Sequence, residues 1–535
     1  MAEYTLTVLD TPGIQSYIFG SNRLRENIGA SELVRRATET WPLEIIKGRW
    51  DSNVGEPDAA NPAQRLNTAL CIEDGKLDAE VVYIGGGNTV LLFRKPENAK
   101  AFVGALSRKL IEYAPGLSLV AAHVPVTWED KDLGMRVDEA MRQLAAQKAA
   151  RPHGQPQLGL SVTAEGRSTG LVATTTNAGR KPDEEAIFPI SDAVAGKLEA
   201  VTAANARLRD FRPAAVKKEG LEFPRDFDQF GRSEGEMSYI AVVHADGNEM
   251  GRYFQQIGQG AADSRDYIRR MRTASIKVEE AASAALRHLI IELVNTWEPE
   301  TNTIGGIVPL HENNLPFRPL VFGGDDVTFV CDGRLGLTLA ARYLELFEAE
   351  SQTRDMDLYA CAGIAVVKSH YPFARAYELA ETLTKGAKKH VREDPQSDFS
   401  ALDWHFATGG LLGTPKEIRK REYTVPAGDL TLRPLPLCGT GVRGWSAFTN
   451  VIETFKGKTW KNHRNKVIAL REVLRDGPNA TRIFLEGLDE NLPTLDSATK
   501  DWQKTGWVGG KCGYFDAIEA LDFYVPLKEV QDADV

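Results

Sequence analysis

The chain has 535 residues, which is too long for one ordinary core and predicts about three or four structural units. Hydrophobic residues make up 42% and charged residues 26% of the sequence, values that exclude the disordered and fibrous classes. The net charge of −10 argues against a general nucleic-acid coat, although it is compatible with a local basic groove. The sequence has no long apolar run and no basic leader, so we predict a cytoplasmic protein with no membrane partner.

The five cysteines are far apart and include no CxxC pair. This spacing indicates neither a zinc ribbon nor a disulfide framework. We therefore expect reduced, buried thiols at Cys71, Cys331, Cys361, Cys438 and Cys512.

The first part of the chain predicts a small unit of strands and helices. "YTLTVLD" alternates as a strand that ends at Asp10, and the next segment has helical spacing with Ser21 or Asn22 as its N-cap. "EVVYIGGGNTVLLFR" predicts a hairpin around a glycine turn. A helix from about Pro96 to Tyr113 and the strand "LSLVAAHVPV" complete the unit.

The second half of the chain repeats this order of elements. A strand ends at Asp246, a helix covers about Ala274 to Asn295, and the hairpin "RPLVFGGDDVTFV", a helix at 335–349 and the strand "DLYACAGIAVV" follow. Laying Gly85 on Gly323 gives an offset of 323 − 85 = 238 residues, which the next helix and strand nearly keep. We interpret this as an internal duplication of a β-α-β-β-α-β unit, an α+β fold with two tandem ferredoxin-like domains.

The remaining segments differ in composition from the two repeated units. Residues 146–235, which contain the charged and turn-rich "KKEGLEFPRDFDQFGRSEGE", predict a linker or irregular insert between a first domain at 1–145 and a second at 236–412. Residues 413–535 begin with an extended segment and continue with helical patterns from Trp445 onward. We expect a small helical domain there.

The GGDD turn of the second hairpin is the strongest chemical signal. Asp325 and Asp326 are like charges at a tight turn, and Asp246 ends the strand predicted to lie beside them. Three converging carboxylates suit Mg²⁺ or Mn²⁺ with phosphate oxygens nearby, as in two-metal phosphoryl transfer. Gly323 and Gly324 leave room for phosphates to approach.

Three stretches of the second unit, "HADGNEMG", "FGGDD" and "AETLTKGAKKHVRE", resemble the catalytic palm of the large polymerase-cyclase subunit of type III CRISPR effector complexes. "DTPGIQSYIFGSNRLRENIGASELV" and "YIGGGNTVLLF" likewise resemble that family's first, degenerate palm. The resemblance covers about residues 4 to 410. The sequence has no HD dipeptide and no cysteine cluster, so we expect a shortened member without the nuclease domain.

The resemblance implies ATP-dependent synthesis of cyclic oligonucleotides, most simply cyclic oligoadenylate, as messengers in antiviral defence. It implies RNA, effector-complex subunits and a downstream effector as partners. It places metal binding and catalysis on Asp246, Asp325 and Asp326. The implied nucleotide-binding residues are Gly247, Asn248, Gly323, Gly324, Lys385 and Lys388.

Several assignments stay open at this stage. Gly87 and Asn88 stand where the second hairpin has its two aspartates, so we expect the first palm to be catalytically inert. His244 lies one strand alternation from Asp246 and could face the site, but a core imidazole is the commoner outcome. The basic run Lys456–Lys466 could bind nucleic acid or be ordinary surface. The alternative function is a non-catalytic, nucleic-acid-binding scaffold subunit.

Overall fold

The structure, a computed structural model, describes residues 3–85, 87–130, 132–150, 159–179, 186–230, 238–395, 397–407, 413–439, 441–457, 460, 464–495 and 500–528. It divides into two compact units. The first lies within Met1–Arg212, Glu249–Ser283 and Leu320–Asp325, and the second within Pro213–Asn248, Ala284–Pro319 and Asp326–Val535. Both units draw on the segment 236–412 that the sequence assigned to one domain. The predicted boundaries near Gly235 and at residue 412 lie outside the described residues.

The amino-terminal elements form a four-stranded antiparallel sheet in the order β2-β3-β1-β4. The elements are β1 (Glu3–Asp10), α1 (Ile14–Phe19), α2 (Leu24–Arg35), α3 (Trp41–Arg49), β2 (Ala79–Gly85), β3 (Asn88–Phe93), α4 (Pro96–Tyr113), β4 (Val120–Thr127) and α5 (Leu133–Ala150). A π-helical turn, Arg36–Thr40, joins α2 to α3. This strand order is that of a ferredoxin-like unit, so the sequence prediction is confirmed for this sheet.

The start of α2 corrects a detail of the sequence analysis. Its N-cap is Arg23, which makes no side-chain capping bond, and neither Ser21 nor Asn22 takes that position. The Ser21 hydroxyl donates instead to Glu26 Oε2 at 2.7 Å. Glu26 is buried, and a buried carboxylate that lacks a donor costs more free energy than a helix end that lacks a cap.

The first unit also contains an ion pair between the end of α5 and the end of β1. Lys148 Nζ, near the carboxyl end of α5, contacts Asp10 Oδ2, and both side chains are partly exposed. α5 packs against β1 and β4 through apolar residues that include Val137 and Ala140. The pair therefore fastens the last turn of the helix to the last residue of the strand.

The segment predicted as a linker contains a long helix, α6 (Asp192–Phe211). It follows two-residue strands at Thr175–Thr176 and Pro189–Ile190 and precedes the short α7 (Ala214–Lys218). α6 packs closely on α2: a Cβ on Gly29 would lie 1.7 Å from the carbonyl oxygen of Lys197. The structure therefore has a helix at 192–211 where a linker or irregular insert was predicted, and the charged stretch 217–230 contains the end of α7 and a short 3-10 turn, Phe227–Gln229.

The carboxyl-terminal half contains a six-stranded sheet in the order β6-β7-β5-β8-β9-β10. The elements are β5 (Tyr239–Gly247), α8 (Met250–Gln259), α9 (Ser264–Asn295), β6 (Phe317–Val321), β7 (Val327–Asp332), α10 (Gly336–Gln352), β8 (Ala360–Lys368), α11 (Phe373–Glu393), β9 (Ala401–Ala407) and β10 (Leu435–Pro436). Two-residue strands at Trp297–Glu298, Thr303–Ile304 and Val308–Pro309 form a separate small sheet.

Four strands of this sheet repeat the ferredoxin-like order, and two strands extend it. β5 pairs antiparallel with β7 and β8, and β9 joins β8 in parallel. α9 begins at Ser264, ten residues before the predicted start at Ala274, and α8 was not predicted at all. The predicted α+β class with repeated ferredoxin-like units is confirmed.

The carboxyl-terminal segment is mainly helical. Its helices are α12 (Pro415–Glu422), α13 (Trp445–Lys456), α14 (Arg464–Arg475), α15 (Pro478–Leu488), α16 (Asp501–Thr505) and α17 (Phe515–Glu519), beside short strands at Thr424–Val425, Gly428–Asp429, Trp507–Val508 and Lys511–Cys512. α13 starts at Trp445 as predicted. The first residues of the segment predicted as extended, from Arg419, instead belong to α12. Much of the basic run 456–466 lies outside the described residues.

The cysteines and the helices bear on two further predictions. All five cysteines are unpaired; Cys331, Cys361 and Cys512 are buried, Cys71 is half-buried and Cys438 is exposed. The expectation of buried thiols is thus wrong for Cys438. No helix in the described ranges is long and apolar enough to cross a membrane.

Candidate active site

In the second unit, two aspartates lie at neighbouring strand ends. Asp246 is the penultimate residue of β5, and Asp326 immediately precedes β7. The antiparallel register pairs Ala245 with Val327, so the next step carries Asp246 toward Asp326. Both side chains are partly open to solvent, with exposed fractions of 37% and 43%. The sheet thus presents two carboxylates that an incoming ligand can reach.

Lys388 completes this strand-end group from α11. Its ammonium lies 2.5 Å from Asp246 Oδ2 and donates to the Gly247 carbonyl at 2.7 Å. One turn earlier, Thr384 Oγ1 donates to the His244 carbonyl at 2.9 Å. Because residues four apart share a helix face, the two contacts hold α11 along β5 and place Lys388 at the end of the strand. Lys388 therefore lies beside Asp246, and its contact with a triphosphate stays a prediction.

His244 belongs to the same group, which the sequence analysis left open. Its buried Nδ1 lies 3.2 Å from Asp326 Oδ1 and 3.1 Å from Thr328 Oγ1, and its ring packs edge-on against Tyr377. Burial alone would lower the pKa of His244, but the carboxylates of Asp326 and Asp246 outweigh burial and raise the pKa. The signal in the sequence was the two-residue spacing from Asp246, which puts both side chains on one face of β5.

The Oδ1 atom of Asp326 is buried, and among the described residues it has no well-aligned hydrogen-bond donor. The 3.2 Å distance to His244 is an ion-pair contact rather than a good hydrogen bond. A buried carboxylate oxygen without a full complement of donors is a position where a cation gains much of its binding energy.

The other residues of the GGDD turn belong to the first unit. Gly323, Gly324 and Asp325 line a cavity of about 440 Å³. Gly323 has φ +112°, which side chains with a Cβ rarely adopt, and a Cβ on Gly324 would meet nothing within 4 Å. The turn is therefore open at Gly324, and the approach of phosphates to this glycine pair stays a prediction.

The cavity of the first unit is mostly aromatic and thioether in character, with a few polar groups. Its lining also includes Tyr83, Met141, Phe254, Tyr267 and Met271, with Asn88, Asp138, Gln255, Ser275 and Glu279 as polar members. Such a mixture of apolar walls and few polar groups is typical of small-molecule sites. Asn88 of the first hairpin thus lines the same cavity as Asp325.

Glu279 gives this cavity a pH dependence that can be tested. Burial and the nearby Glu39 raise the pKa of Glu279 to about 7. The Arg65 guanidinium, 2.9 Å away, lowers this pKa but does not outweigh them. A carboxyl whose pKa is higher in the folded state stabilises the fold fully below its unfolded pKa, and this stability is lost as pH rises through about 7. We expect Glu279→Gln to flatten the fall in melting temperature between about pH 5 and 8. Scanning fluorimetry of both proteins across this range measures it; parallel curves would contradict the assignment.

The remaining predicted residues are placed differently. Lys385 is 69% exposed and pairs with Glu381 at 2.9 Å. It lies on the solvent side of α11, three residues before Lys388, and the structure does not bring it to Asp246. Asn248 donates from its backbone to the Tyr359 carbonyl and from its side chain to the Phe399 carbonyl. Its role in this structure is to anchor the chain after β5.

Asp246 and Asp326 are the carboxylates of the second unit that could hold a metal ion at the strand ends. No group of three His, Cys, Asp or Glu side chains within the described ranges is arranged to hold a metal ion. Mg²⁺, however, is commonly bound by one or two carboxylates, with waters and substrate phosphates as its other ligands. Asp246 and Asp326 fit that arrangement, and Oδ1 of Asp326 has no well-aligned donor. The residues present are therefore suited to a hard divalent cation.

Comparison with known proteins gives two findings. Residues 239–395 match the family model described as Cas10/Cmr2, second palm domain. No curated protein matches the chain.

Several solved structures share the fold. A Csm1-Csm4 cassette in complex with cA4 matches with a TM-score of 0.54 and 13% identity, over 97% of this chain and 69% of that chain. The cassette in complex with pppApA gives 0.53 and 14% over the same shares. The Csm1-Csm4 subcomplex in the type III-A CRISPR-Csm interference complex gives 0.52 and 14%, over 97% and 70%. At these identities the likeness concerns the fold alone.

Proposed function

The chain carries a Cas10/Cmr2-type second palm domain, as its sequence predicted, and from this premise we propose that it is a metal-dependent nucleotidyltransferase. It joins ATP into cyclic oligonucleotides that act as second messengers in antiviral defence. The observation that carries the proposal is the group at the strand ends of the second unit, where Asp246, Asp326 and Lys388 meet within a matched palm domain.

The proposed reaction needs little covalent help from the protein. The 3′ oxygen of one nucleotide attacks the α-phosphorus of the next, pyrophosphate leaves, and the 3′-hydroxyl proton passes to solvent. In the last step the terminal 3′ oxygen attacks the α-phosphorus of the 5′ triphosphate in the same chain, which closes the ring and again releases pyrophosphate and a proton. When bound, a divalent cation supplies charge neutralisation and lowers the pKa of the hydroxyl. Asp246 and Asp326 provide the negative charge that holds the cation, with Asp325 as the third carboxylate predicted from the sequence.

Lys388 provides the positive charge that a triphosphate needs. In the structure its ammonium neutralises Asp246 at 2.5 Å, which offsets part of the repulsion between the strand-end carboxylates. If Asp246 were to hold a cation, the Lys388 ammonium would be available to phosphate oxygens at the end of β5. Lys388 would therefore exchange one anionic partner, the Asp246 carboxylate, for another, the triphosphate.

Synthesis is tested by incubating the purified protein with each nucleoside triphosphate and Mg²⁺ or Mn²⁺, with and without RNA, and analysing products by mass spectrometry. We expect cyclic products from ATP, and Lys388→Met should lower turnover by about tenfold or more. Lys389→Met, an exposed neighbour on α11, is the matched control and should leave turnover unchanged. Absence of pyrophosphate release in every condition would contradict the proposal.

A second candidate function is a scaffold subunit of an effector complex in the cytoplasm. It is favoured by the extent of the structural likeness, 97% of this chain, to a chain of a Csm1-Csm4 cassette. Purification from the native host distinguishes the two, because a scaffold should bring guide RNA and partner subunits with it. A catalytic subunit of such a complex would show both properties.

A further inference from the structure

The strand that leads into the GGDD turn is held by helices from the amino-terminal half of the chain. Arg207, on α6, donates from Nη2 to the carbonyl oxygen of Phe322 at 3.2 Å. Its guanidinium also lies 4.1 Å from the centre of the Phe322 ring. One turn later on the same helix, the ring of Phe211 packs on Phe322 at 5.1 Å. All of these residues belong to the first unit.

Arg207 is itself held in place by α2. Its Nη1 lies 3.8 Å from Oε2 of Glu32, whose side chain is only 1% exposed. Arg35 and Arg36 also pair with Glu32, at 2.9 and 2.7 Å. Burial would raise the pKa of Glu32, but these arginines outweigh it and lower the pKa, so the carboxylate stays charged. A buried, charged carboxylate on α2 therefore lies within ion-pair distance of the Arg207 guanidinium.

A second contact supports the same stretch of chain. The hydroxyl of Ser31, on α2, donates to the carbonyl of Leu320 at 2.5 Å. The next residues in the chain lead to Gly323, where a Cβ would lie 3.7 Å from Arg207 Nη2. The backbone from Leu320 to Gly323 therefore accepts hydrogen bonds from two side chains, Ser31 and Arg207. Both contacts lie shortly before Asp325, which lines the cavity.

We propose that Arg207 is a positioning residue that sets the conformation of the GGDD turn, and through it the direction of the Asp325 carboxylate. Arg207 donates to the Phe322 carbonyl, and its planar guanidinium packs on the Phe322 ring. Together the two contacts fix the position and the rotation of the backbone immediately before Gly323 and Gly324. Since Gly323 and Gly324 impose few limits of their own, the orientation of the turn is set from outside. This inference rests on the proposed function for its catalytic readout but not for its metal-binding readout.

The test compares Arg207→Met, which removes charge and donors, with Arg207→Lys and with Arg209→Met, a matched change at an exposed position of α6. Binding of Mn²⁺ in the presence of a non-hydrolysable ATP analogue is followed by electron paramagnetic resonance. Turnover and KM for ATP are measured on the same preparations at a temperature well below each melting point.

We expect Arg207→Met to weaken Mn²⁺ binding by about fivefold or more and to lower turnover by about ten- to a hundredfold, the range for a small misplacement of an active-site group. KM for ATP should change by less than about threefold, because most of the cavity lining lies outside the turn. Arg207→Lys should recover part of both losses, and Arg209→Met should match the wild type. Ser31→Ala, a milder change, should shift both readouts in the same direction.

Arg207→Met that binds Mn²⁺ and turns over like Arg209→Met, with only a lower melting temperature, would overturn the proposal. A wild-type protein that binds Mn²⁺ but makes no product would contradict the proposed function, and the metal-binding comparison would still decide the role of Arg207. A wild-type protein that binds no Mn²⁺ under any condition would overturn both.

Discussion

Asp326→Asn is expected to lower nucleotide turnover by about a hundredfold or more while leaving the fold intact. The change keeps the shape of the side chain but removes the charge that would hold a cation at a partly buried oxygen. The stabilisation that the wild type gains from Mg²⁺ with a non-hydrolysable ATP analogue should largely disappear. Scanning fluorimetry with and without these ligands, together with mass spectrometry of products, measures both effects.

The control is Asp476→Asn, at an exposed aspartate between α14 and α15 of the same unit, which should behave as the wild type in both assays. An unchanged metal response in Asp326→Asn would show that the turn is an ordinary solvated one. Asp246→Asn should differ from Asp326→Asn in stability, because it leaves the largely buried ammonium of Lys388 without its carboxylate. We expect a cost of about 1–3 kcal/mol for Asp246→Asn.

Gly363→Ala is expected to destabilise the second unit by about 3 kcal/mol or more, or to prevent its folding. Gly363 lies in β8 under α11, where a Cβ would be 2.0 Å from the carbonyl oxygen of Ala380 and 2.5 Å from the backbone nitrogen of Thr384. The helix would have to move away from the sheet. The same helix carries Lys388, so residual activity should fall as well. Thermal unfolding and turnover of the purified variant are the measurements.

Gly386→Ala provides the opposite result on the same helix. Its Cβ would be 3.7 Å from Asp403 Oδ2, an ordinary contact, so the higher helix propensity of alanine should stabilise the protein by about 0.5–1 kcal/mol. Equal effects of the two alanine substitutions would show that the close approach of α11 and β8 does not set the position of the helix.

Much of the fold could be predicted because local pattern and tertiary structure agree. The strand ending at Asp10, the helix Pro96–Tyr113 and the two glycine hairpins have bounds close to those expected, since strand alternation and turn glycines are local signals. The repeated order of elements predicted the topology of the first sheet and of four strands, β6-β7-β5-β8, of the second. We did not predict α6, because the charged and turn-rich stretch after it indicated a linker over 146–235, although the sequence of α6 itself is rich in alanine.

The candidate site was predictable only in part. Asp246 and Lys388 form a pair that the resemblance had placed in one site, but nothing in the sequence indicated that the two contact each other directly. The structure places Lys385 on the exposed side of α11 and Lys388 beside Asp246, a difference that a helix of uncertain phase does not predict. Arg207 gave no signal, since its partner Phe322 lies 115 residues away and only the packing of α6 brings them together.

The ion pair between Lys148 and Asp10 has a counterpart, at the corresponding place in the repeat, in the pair between Lys388 and Asp246. The two repeated units therefore keep one ion pair between helix and strand while their hairpin turns differ, with Gly87 and Asn88 in one and two aspartates in the other. Since we expect the first unit to be catalytically inert, breaking its pair should lower stability alone. Breaking the second pair should lower both stability and turnover, and the excess loss measures the part that belongs to chemistry.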